Sequence, residues 1–444
     1  MELKASNAKI TEVRDVIHGS IPLYPWELAI LDSQAFQRLR NIKQLGFSEF
    51  AYPCAVHNRY IHSLGVAHLA GVSFHSIFRK HQFSSPDVAE RFYFLTRISA
   101  MLHDIGHGPF SHAIEHAMPA ASSLQLPAEV LGKNVKRQAT HEDYTLKILL
   151  ESSLTPILER EYARFDITPW DIACMMSLDL KERSNLFHDK KINYRHVLHQ
   201  IISSEVDADR MDYLQRDSYY SGVSYGTFDY NWLLSNLGLH IADGKAYLAL
   251  SDRAIYTFED FLLSRYHMFL MVYLHHKSVG YEEMMKRYLN SPDCSFSVPS
   301  DIEAYIHCDD SIFYSFLRLD ADKNEWAQRI LSHRTFKVAL ELHDSKKDPK
   351  NDPRTKELVA TLESKKIPYF VTSSGKGLSN YVKPNLGAND TKETTIFVES
   401  NDRLNEPSFV PIENFTDLFR RYGETKNILR VYVPENTGIS KLGS

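Results

Sequence analysis

Three separated places in this 444-residue sequence carry side chains that bind metal ions and move protons. His62 sits in Asn58-Arg-Tyr-Ile-His-Ser-Leu-Gly-Val66. His103 and Asp104 sit in Met101-Leu-His-Asp-Ile-Gly-His-Gly-Pro-Phe-Ser-His112. Asp209 sits in Glu205-Val-Asp-Ala-Asp-Arg-Met-Asp-Tyr213. Two imidazoles and two carboxylates make a mixed N/O donor set. Such a set suits Fe, Mn, Zn, Ni or Co better than a soft, thiolate-seeking metal. It leaves room for a bound water whose lowered pKa makes it a nucleophile. A lone His-Asp pair carries little weight, because histidines at helix ends also cap carbonyls. Its neighbours add weight. His107 and His112 follow His103 across Gly106 and Gly108, where backbone can approach a ligand closely. His141-Glu142 follows a polar insertion, Pro119 to Arg137. Asp209, Asp212, Tyr213 and Arg216 share one helical face, which is either solvated surface or the lining of a cleft.

These residues need elements to hold them. Leu95, Ile98, Leu102 and Ile105 are spaced as one buried helical stripe, so His103 and Asp104 end an amphipathic helix that Gly106 and Gly108 break. Adjacent residues on a helix differ by about 100°, so both can aim at one centre. The pattern stays mostly helical to about Leu289, with one or two long helices over Ile255–Met285. The turn-rich stretch Asn290–Pro299 is the expected domain boundary. Beyond it come a helical stretch over Asp301–Ser345, a charged loop over Asp344–Pro353, β-type runs at Pro368–Thr372, Thr394–Val398 and Ile428–Val433, a mobile loop over Ser373–Glu393 and a short helix over Thr416–Tyr422. The expected fold is mainly α with a smaller C-terminal α/β region.

Composition narrows the classes. The chain is 43% hydrophobic and 24% charged, with a net charge of −5. That excludes a polycation coating nucleic acid or membrane, while a local basic pocket remains compatible. No apolar run has the length of a membrane span, and no apolar leader follows Met1. Cys54, Cys174, Cys294 and Cys308 lack CxxC spacing, so a reducing cytoplasm is the expected location. Histidine is the unusual count: 21 in all, ten of them between His57 and His141.

The set His62, His103-Asp104 and Asp209 resembles the signature of HD-domain metal-dependent phosphohydrolases. Its context is more specific. Arg14-Asp-Val-Ile-His-Gly19, Phe36-Gln-Arg-Leu-Arg40, Ile42-Lys-Gln-Leu-Gly46, His57-Asn-Arg-Tyr-Ile-His-Ser-Leu-Gly65 and His103–His112 follow one another in the order seen in deoxynucleoside triphosphate triphosphohydrolases. The resemblance covers about Arg14 to Met285, without the SAM domain of the vertebrate members. After residue 300 it is weak, resting mainly on Arg430-Val-Tyr-Val-Pro434. It implies an HD-domain catalytic core over 1–290 and a C-terminal helical and α/β lobe over 291–444.

By that resemblance the metal ligands are His62, His103, Asp104 and Asp209. His141 is the catalytic histidine, with His112 and Glu115 as a second catalytic pair, a role suited to an imidazole titrating near neutrality. Arg59, His107, Arg210 and Arg265 hold the triphosphate. Arg210 stands where many relatives carry lysine, so a planar fork replaces a point charge. Gln44, Leu45, Tyr213, Asp217 and Tyr273 read the deoxyribose and base. His57 is expected to shape the turn before Arg59. Asp32, Gln37 and Arg40 match an allosteric nucleotide site, although Thr11-Glu12 stands where the vertebrate enzyme has an activator-contacting lysine.

The implied reaction converts a dNTP and water to deoxynucleoside and tripolyphosphate, with Mg or Mn carried on the substrate. An activating GTP or dNTP and a homo-oligomer, dimer or tetramer, are also implied. One alternative is an HD-type enzyme for another phosphoester: a nucleoside monophosphate, a cyclic nucleotide or a nucleic-acid end. Another is a vestigial nucleic-acid-binding or sensor protein, which the lack of a basic run disfavours.

Overall fold

The computed structural model describes residues 9–132, 134–344, 352–374, 396–400, 408–416 and 427–435. The protein is mainly helical. A short antiparallel hairpin opens it, pairing Thr11–Asp15 with Gly19–Leu23 in the register Thr11↔Leu23 to Asp15↔Gly19. Two long helices follow, Arg59–Ile77 and Pro86–Leu102, and pack against each other. Asn58 caps the first, accepting from Ile61 N at 3.2 Å. Ser85 caps the second, whose first residue is proline, the residue that loses nothing at that position. The helix Ala208–Ser221 lies across Arg59–Ile77. The stripe Leu95, Ile98, Leu102 and Ile105 is fully buried. Ile105 lies just past the helix end, in the turn that carries the His-Asp pair.

The stretch expected as one or two long helices is two helices, Ile255–Met268 and His276–Leu289. Between them Phe269–Tyr273 forms a wide π-type turn, with Leu274 N donating to Phe269 O at 2.9 Å. No helix among the described residues is long and apolar enough to cross a membrane.

The expected boundary at 290–299 contains no helix or strand. The core nevertheless runs through it. Phe296, Tyr305 and Phe313 belong to the same buried cluster as Phe36, Leu64 and Ile105. The sheet runs through it as well. Lys245–Ser251 pairs antiparallel with Leu237–Ala242 and parallel with Phe397–Ser400, in the register Ala249↔Phe397. A smaller unit follows, in which Asn427–Pro434 lies between Phe336–Asp344 and Phe370–Ser374, antiparallel to both; the end of the stretch expected to be helical to Ser345 is thus a strand, held by pairing with a segment distant in sequence. Its own small core holds Leu340, Leu358, Leu362, Leu429 and Val431. Most of the loops expected at 344–353 and 373–393, the start of the run at 394, and all but Thr416 of the helix expected at 416–422 lie outside the described residues.

Candidate active site

Helix ends deliver the candidate metal ligands. His62 is in the first turn of Arg59–Ile77, and Asp209 is in the first turn of Ala208–Ser221 behind its N-cap Asp207. His103 caps the C-terminus of Pro86–Leu102, with Nδ1 2.8 Å from Ala100 O, and Asp104 follows it. Donating Nδ1–H to that carbonyl leaves Nε2 of His103 with its lone pair. Nε2 of His62 lies 3.0 Å from Asp209 Oδ1 and 3.5 Å from Asp104 Oδ2. Nε2 of His103 lies 3.4 Å from Asp209 Oδ1 and 3.3 Å from Asp104 Oδ1. Among the described residues neither Nε2 has a hydrogen-bond partner. Two orphaned imidazole nitrogens facing two carboxylates fit a divalent metal of the N/O-preferring kind.

The electrostatics agree with that fit. Burial alone would depress both imidazoles. The surrounding carboxylates outweigh it, holding His62 well above its ordinary value and His103 above it. Burial would raise Asp104, but Arg59, His103 and His107 hold it well below the usual carboxylate range.

A second cluster adjoins the first. At Gly106 a Cβ would lie 2.1 Å from His141 O and 2.2 Å from Thr145 N. Glycine there lets the His-Asp turn rest directly on the helix His141–Glu151. His107 stacks on His141 with ring centroids 3.9 Å apart, and its Nε2 lies 3.3 Å from Asp104 Oδ1. Burial, Arg59 and His141 push His107 well below its usual value, so its ring is neutral. Oε1 of Glu115 lies 2.9 Å from Nδ1 of the exposed His112 and 2.5 Å from Nδ1 of His141. Burial would raise Glu115, yet these bonds hold it well below the usual range.

Each candidate phosphate-binding arginine is held by a carboxylate. Arg59 donates Nη1 to Asp104 and Nε to Ser111 Oγ at 2.8 Å. Arg210 Nη1 donates to Asp207 Oδ2 at 3.0 Å, and Arg265 Nη1 to Glu205 Oε2 at 3.0 Å. Tyr213 feels both Arg265 and Arg210, and its ring lies 6.2 Å from that of Tyr273. Tyr273 OH donates to Asp217 Oδ2 at 2.7 Å. His57 Nε2 lies 2.7 Å from Asp217 Oδ1.

That contact adds to the role expected for His57. Its carbonyl does shape the turn, accepting from Gln44 N at 3.0 Å, but its buried ring belongs to the Asp217 group. Gln44 and Leu45, both half-buried, follow on the same turn, and Gln44 Oε1 has no partner among the described residues. Asp32, Gln37 and Arg40 sit apart in sequence from these groups. Asp32 is the exposed C-cap of Pro25–Leu31, Gln37 Nε2 donates to Leu31 O at 2.7 Å, and Arg40 Nε donates to Gln37 Oε1 at 2.8 Å. The Arg40 guanidinium lies over the Tyr60 ring at 3.6 Å.

Sequence reasoning missed the brace around the His-Asp turn. Arg38 donates to the carbonyls of Ile105 at 2.6 Å, His107 at 2.8 Å and Cys308 at 3.1 Å. Tyr305 OH donates to Gly106 O at 2.7 Å. Asp310 accepts from Phe110 N at 2.8 Å and Lys43 N at 3.1 Å. Phe110 and Ser111 there adopt φ of 56° and 58°, which non-glycine residues hold only when their surroundings enforce it. Arg38 lies in a quoted motif. Tyr305 and Asp310 lie beyond the expected boundary, and no local signal marks them.

An HD domain matches residues 59–217, and an HD-associated region matches 228–363. An uncharacterized protein of Methanocaldococcus jannaschii is 33% identical over 73% of this chain and 58% of its own length. The deoxynucleoside triphosphate triphosphohydrolase SAMHD1 of Gallus gallus is 28% identical over 71% of this chain and 53% of its own. The chain thus spans little more than half the length of these relatives. A crystal structure of a hypothetical protein from Aquifex aeolicus superposes with a TM-score of 0.70 at 25% identity, covering 96% of this chain and 97% of that one.

Proposed function

Given that the chain belongs to the HD-domain proteins that carry an HD-associated region, we propose that it hydrolyses deoxynucleoside triphosphates to deoxynucleoside and inorganic tripolyphosphate. One observation carries the reading: the His62–His103–Asp104–Asp209 set shares Asp104 with the acid–base cluster, through its contact with His107. A metal centre and a proton relay are therefore within one side chain of each other.

A divalent metal held by those four residues supplies Lewis acidity and a water of lowered pKa. The rest is the work of this chain's own groups. Arg59, Arg210 and Arg265 exchange their carboxylate partners for the triphosphate and offset the charge that builds up on it. The neutral ring of His107 orients the α-phosphate. Glu115 holds His141 through Nδ1, and His141 passes a proton to the departing 5′-oxygen. The water oxygen bonds to Pα as the Pα–O5′ bond breaks; the electron pair of that bond stays on the 5′-oxygen, the water oxygen remains on tripolyphosphate, and the proton it loses passes to solvent. Asp217 and Tyr273, with Gln44, Leu45 and Tyr213, hold the sugar and base. SAMHD1 relatives named as deoxynucleoside triphosphate triphosphohydrolases support this substrate class.

Asp32, Gln37 and Arg40 are the residues for an activating GTP or dNTP, within a homodimer or homotetramer acting in the cytoplasm. Light scattering with and without GTP tests the assembly. The test of the reaction is a panel of dNTPs and NTPs with Mn²⁺ or Mg²⁺, resolved by chromatography. Tripolyphosphate and deoxynucleoside in equal amounts are expected. Release of dNMP and pyrophosphate, or turnover of monophosphates and cyclic nucleotides alone, would contradict the reading.

A further inference from the structure

Beneath the candidate metal centre lies a buried charge network that the roles above leave unused. Asp212, one turn past Asp209, is fully buried. Four nitrogens surround its carboxylate. Oδ2 lies 2.8 Å from His62 Nδ1 and accepts from Arg216 Nε at 2.8 Å. Oδ1 lies 2.6 Å from His18 Nε2 and accepts from Arg216 Nη2 at 2.8 Å. Arg216, also fully buried, turns its outer edge to Asp15, with Nη1 donating to Oδ2 at 2.8 Å. Asp15 Oδ1 in turn accepts from the backbone N of Ile17 and of His18, both at 2.9 Å, at the bend of the N-terminal hairpin. One continuous chain of contacts runs from that hairpin to a candidate metal ligand.

The chemistry fixes where the proton of His62 sits. Paired bidentately with Arg216, Asp212 is a carboxylate, and a carboxylate only accepts. Nδ1 of His62 must then carry the hydrogen. In the neutral imidazole that a metal ligand must be, that is the one N–H, so Nε2 keeps its lone pair, and Nε2 is the atom that faces Asp104 and Asp209. This is the tautomer that metal ligation requires, and an outer carboxylate of this kind fixes both ring and tautomer.

A separate feature shows that the space for Asp212 is built in. Gly65 lies one turn after His62. A Cβ there would lie 1.9 Å from Asp212 Oδ1 and 2.5 Å from Arg216 Nη2. The helix is bare where the network passes beneath it.

We propose that Asp212 is a positioning residue of the metal centre that fixes the ring and tautomer of His62, and that Arg216, His18 and Asp15 hold it there. This rests on reading His62, His103, Asp104 and Asp209 as metal ligands. It makes the N-terminal hairpin part of the site.

The test uses the full chain as wild type, Asp212→Asn, Gly65→Ala and His18→Gln, each stripped with a chelator. Co²⁺ binding is followed by visible absorption, Mn²⁺ binding by equilibrium dialysis, and unfolding of each metal-free protein by calorimetry. The wild type is expected to bind Co²⁺ with a defined visible spectrum. Asp212→Asn should bind about 10–100-fold more weakly and change that spectrum. Its amide NH₂ facing Nδ1 favours the opposite tautomer. Gly65→Ala, which displaces the carboxylate without removing it, should weaken binding in the same direction. If Asp212→Asn does not fold, Gly65→Ala and His18→Gln decide the question on the same scale. Wild-type binding with unchanged affinity in the folded variants overturns the positioning role alone, even where their metal-free unfolding temperature falls. A wild type that binds neither ion overturns the ligand reading, and the proposal with it.

Discussion

Glu115 Oε1 lies 2.5 Å from His141 Nδ1, and the same oxygen serves His112 at 2.9 Å, so one carboxylate holds two imidazoles of the acid–base cluster. Replacing it by Gln removes the carboxylate that holds Nδ1 of His141. Glu115→Gln should lower kcat by about 10²–10⁴-fold, the usual contribution of a positioned acid–base group. Metal content, measured by elemental analysis on the same sample, should not change. A variant that keeps full kcat would remove Glu115 from the chemistry.

Arg265 donates Nη1 to Glu205 Oε2 at 3.0 Å, while its Nε has no hydrogen-bond partner among the described residues, so the proposed role leaves a donor for the substrate. Arg265→Ala should lower kcat/KM for a dNTP by about 10–100-fold, as expected for one charge-assisted hydrogen bond of about 1.5–3 kcal/mol. Arg265→Lys should recover part of that loss. Steady-state kinetics with a saturating metal ion separates the two variants.

Asp217 sits between His57 and Tyr273, with one oxygen for each. Tyr273→Phe removes the phenol donor and frees one of those oxygens. The ratio of kcat/KM for dGTP over GTP should fall by about tenfold. An unchanged ratio would place discrimination against the 2′-hydroxyl elsewhere.

Burial pushes Asp310 up to about 7, even though two backbone N–H groups favour its charged form. The folded chain therefore holds this proton more tightly than the unfolded chain, where an Asp titrates near 3.9. The contribution of Asp310 to stability is full below about pH 4 and is lost as pH rises toward 7. Each unit of that difference corresponds to about 1.4 kcal/mol. The difference in stability between wild type and Asp310→Asn should thus shrink from pH 5 to pH 7.5. Denaturant unfolding at the two pH values measures it, and a difference that grows with pH would reverse the assignment.

Much of the site could be read because its parts carry local signals. His103 and Asp104 are adjacent, a glycine-broken stripe precedes them, and His62 and Asp209 lie in helix starts with capping residues of their own. The long helices were legible from periodicity, and the three late strands from β-branched and aromatic runs. What stayed hidden is held by contacts between residues distant in sequence. Asp310 meets Phe110 across 200 positions, and Arg216 meets Asp15 across 201. Neither pair has a spacing to detect. The boundary expected at 290–299 was a reading of turn residues, and turns say nothing about whether a core continues beneath them. Asp212 and Arg216 were seen as one polar face, but periodicity alone could not tell that the face points inward.

The π-type turn at Phe269–Tyr273 has a consequence in counting rather than in chemistry. It spends one more residue per turn than an α-helix, and Tyr273, its last residue, is the one that reaches Asp217. Delete any one residue from Phe269 to Val272 and an ordinary helix could form, but Tyr273 would rotate by about 100° about its axis. The phenol would then point away from the carboxylate although no contacting residue had changed. The contact between this phenol and its carboxylate is stored in the length of the chain as much as in the identity of its side chains.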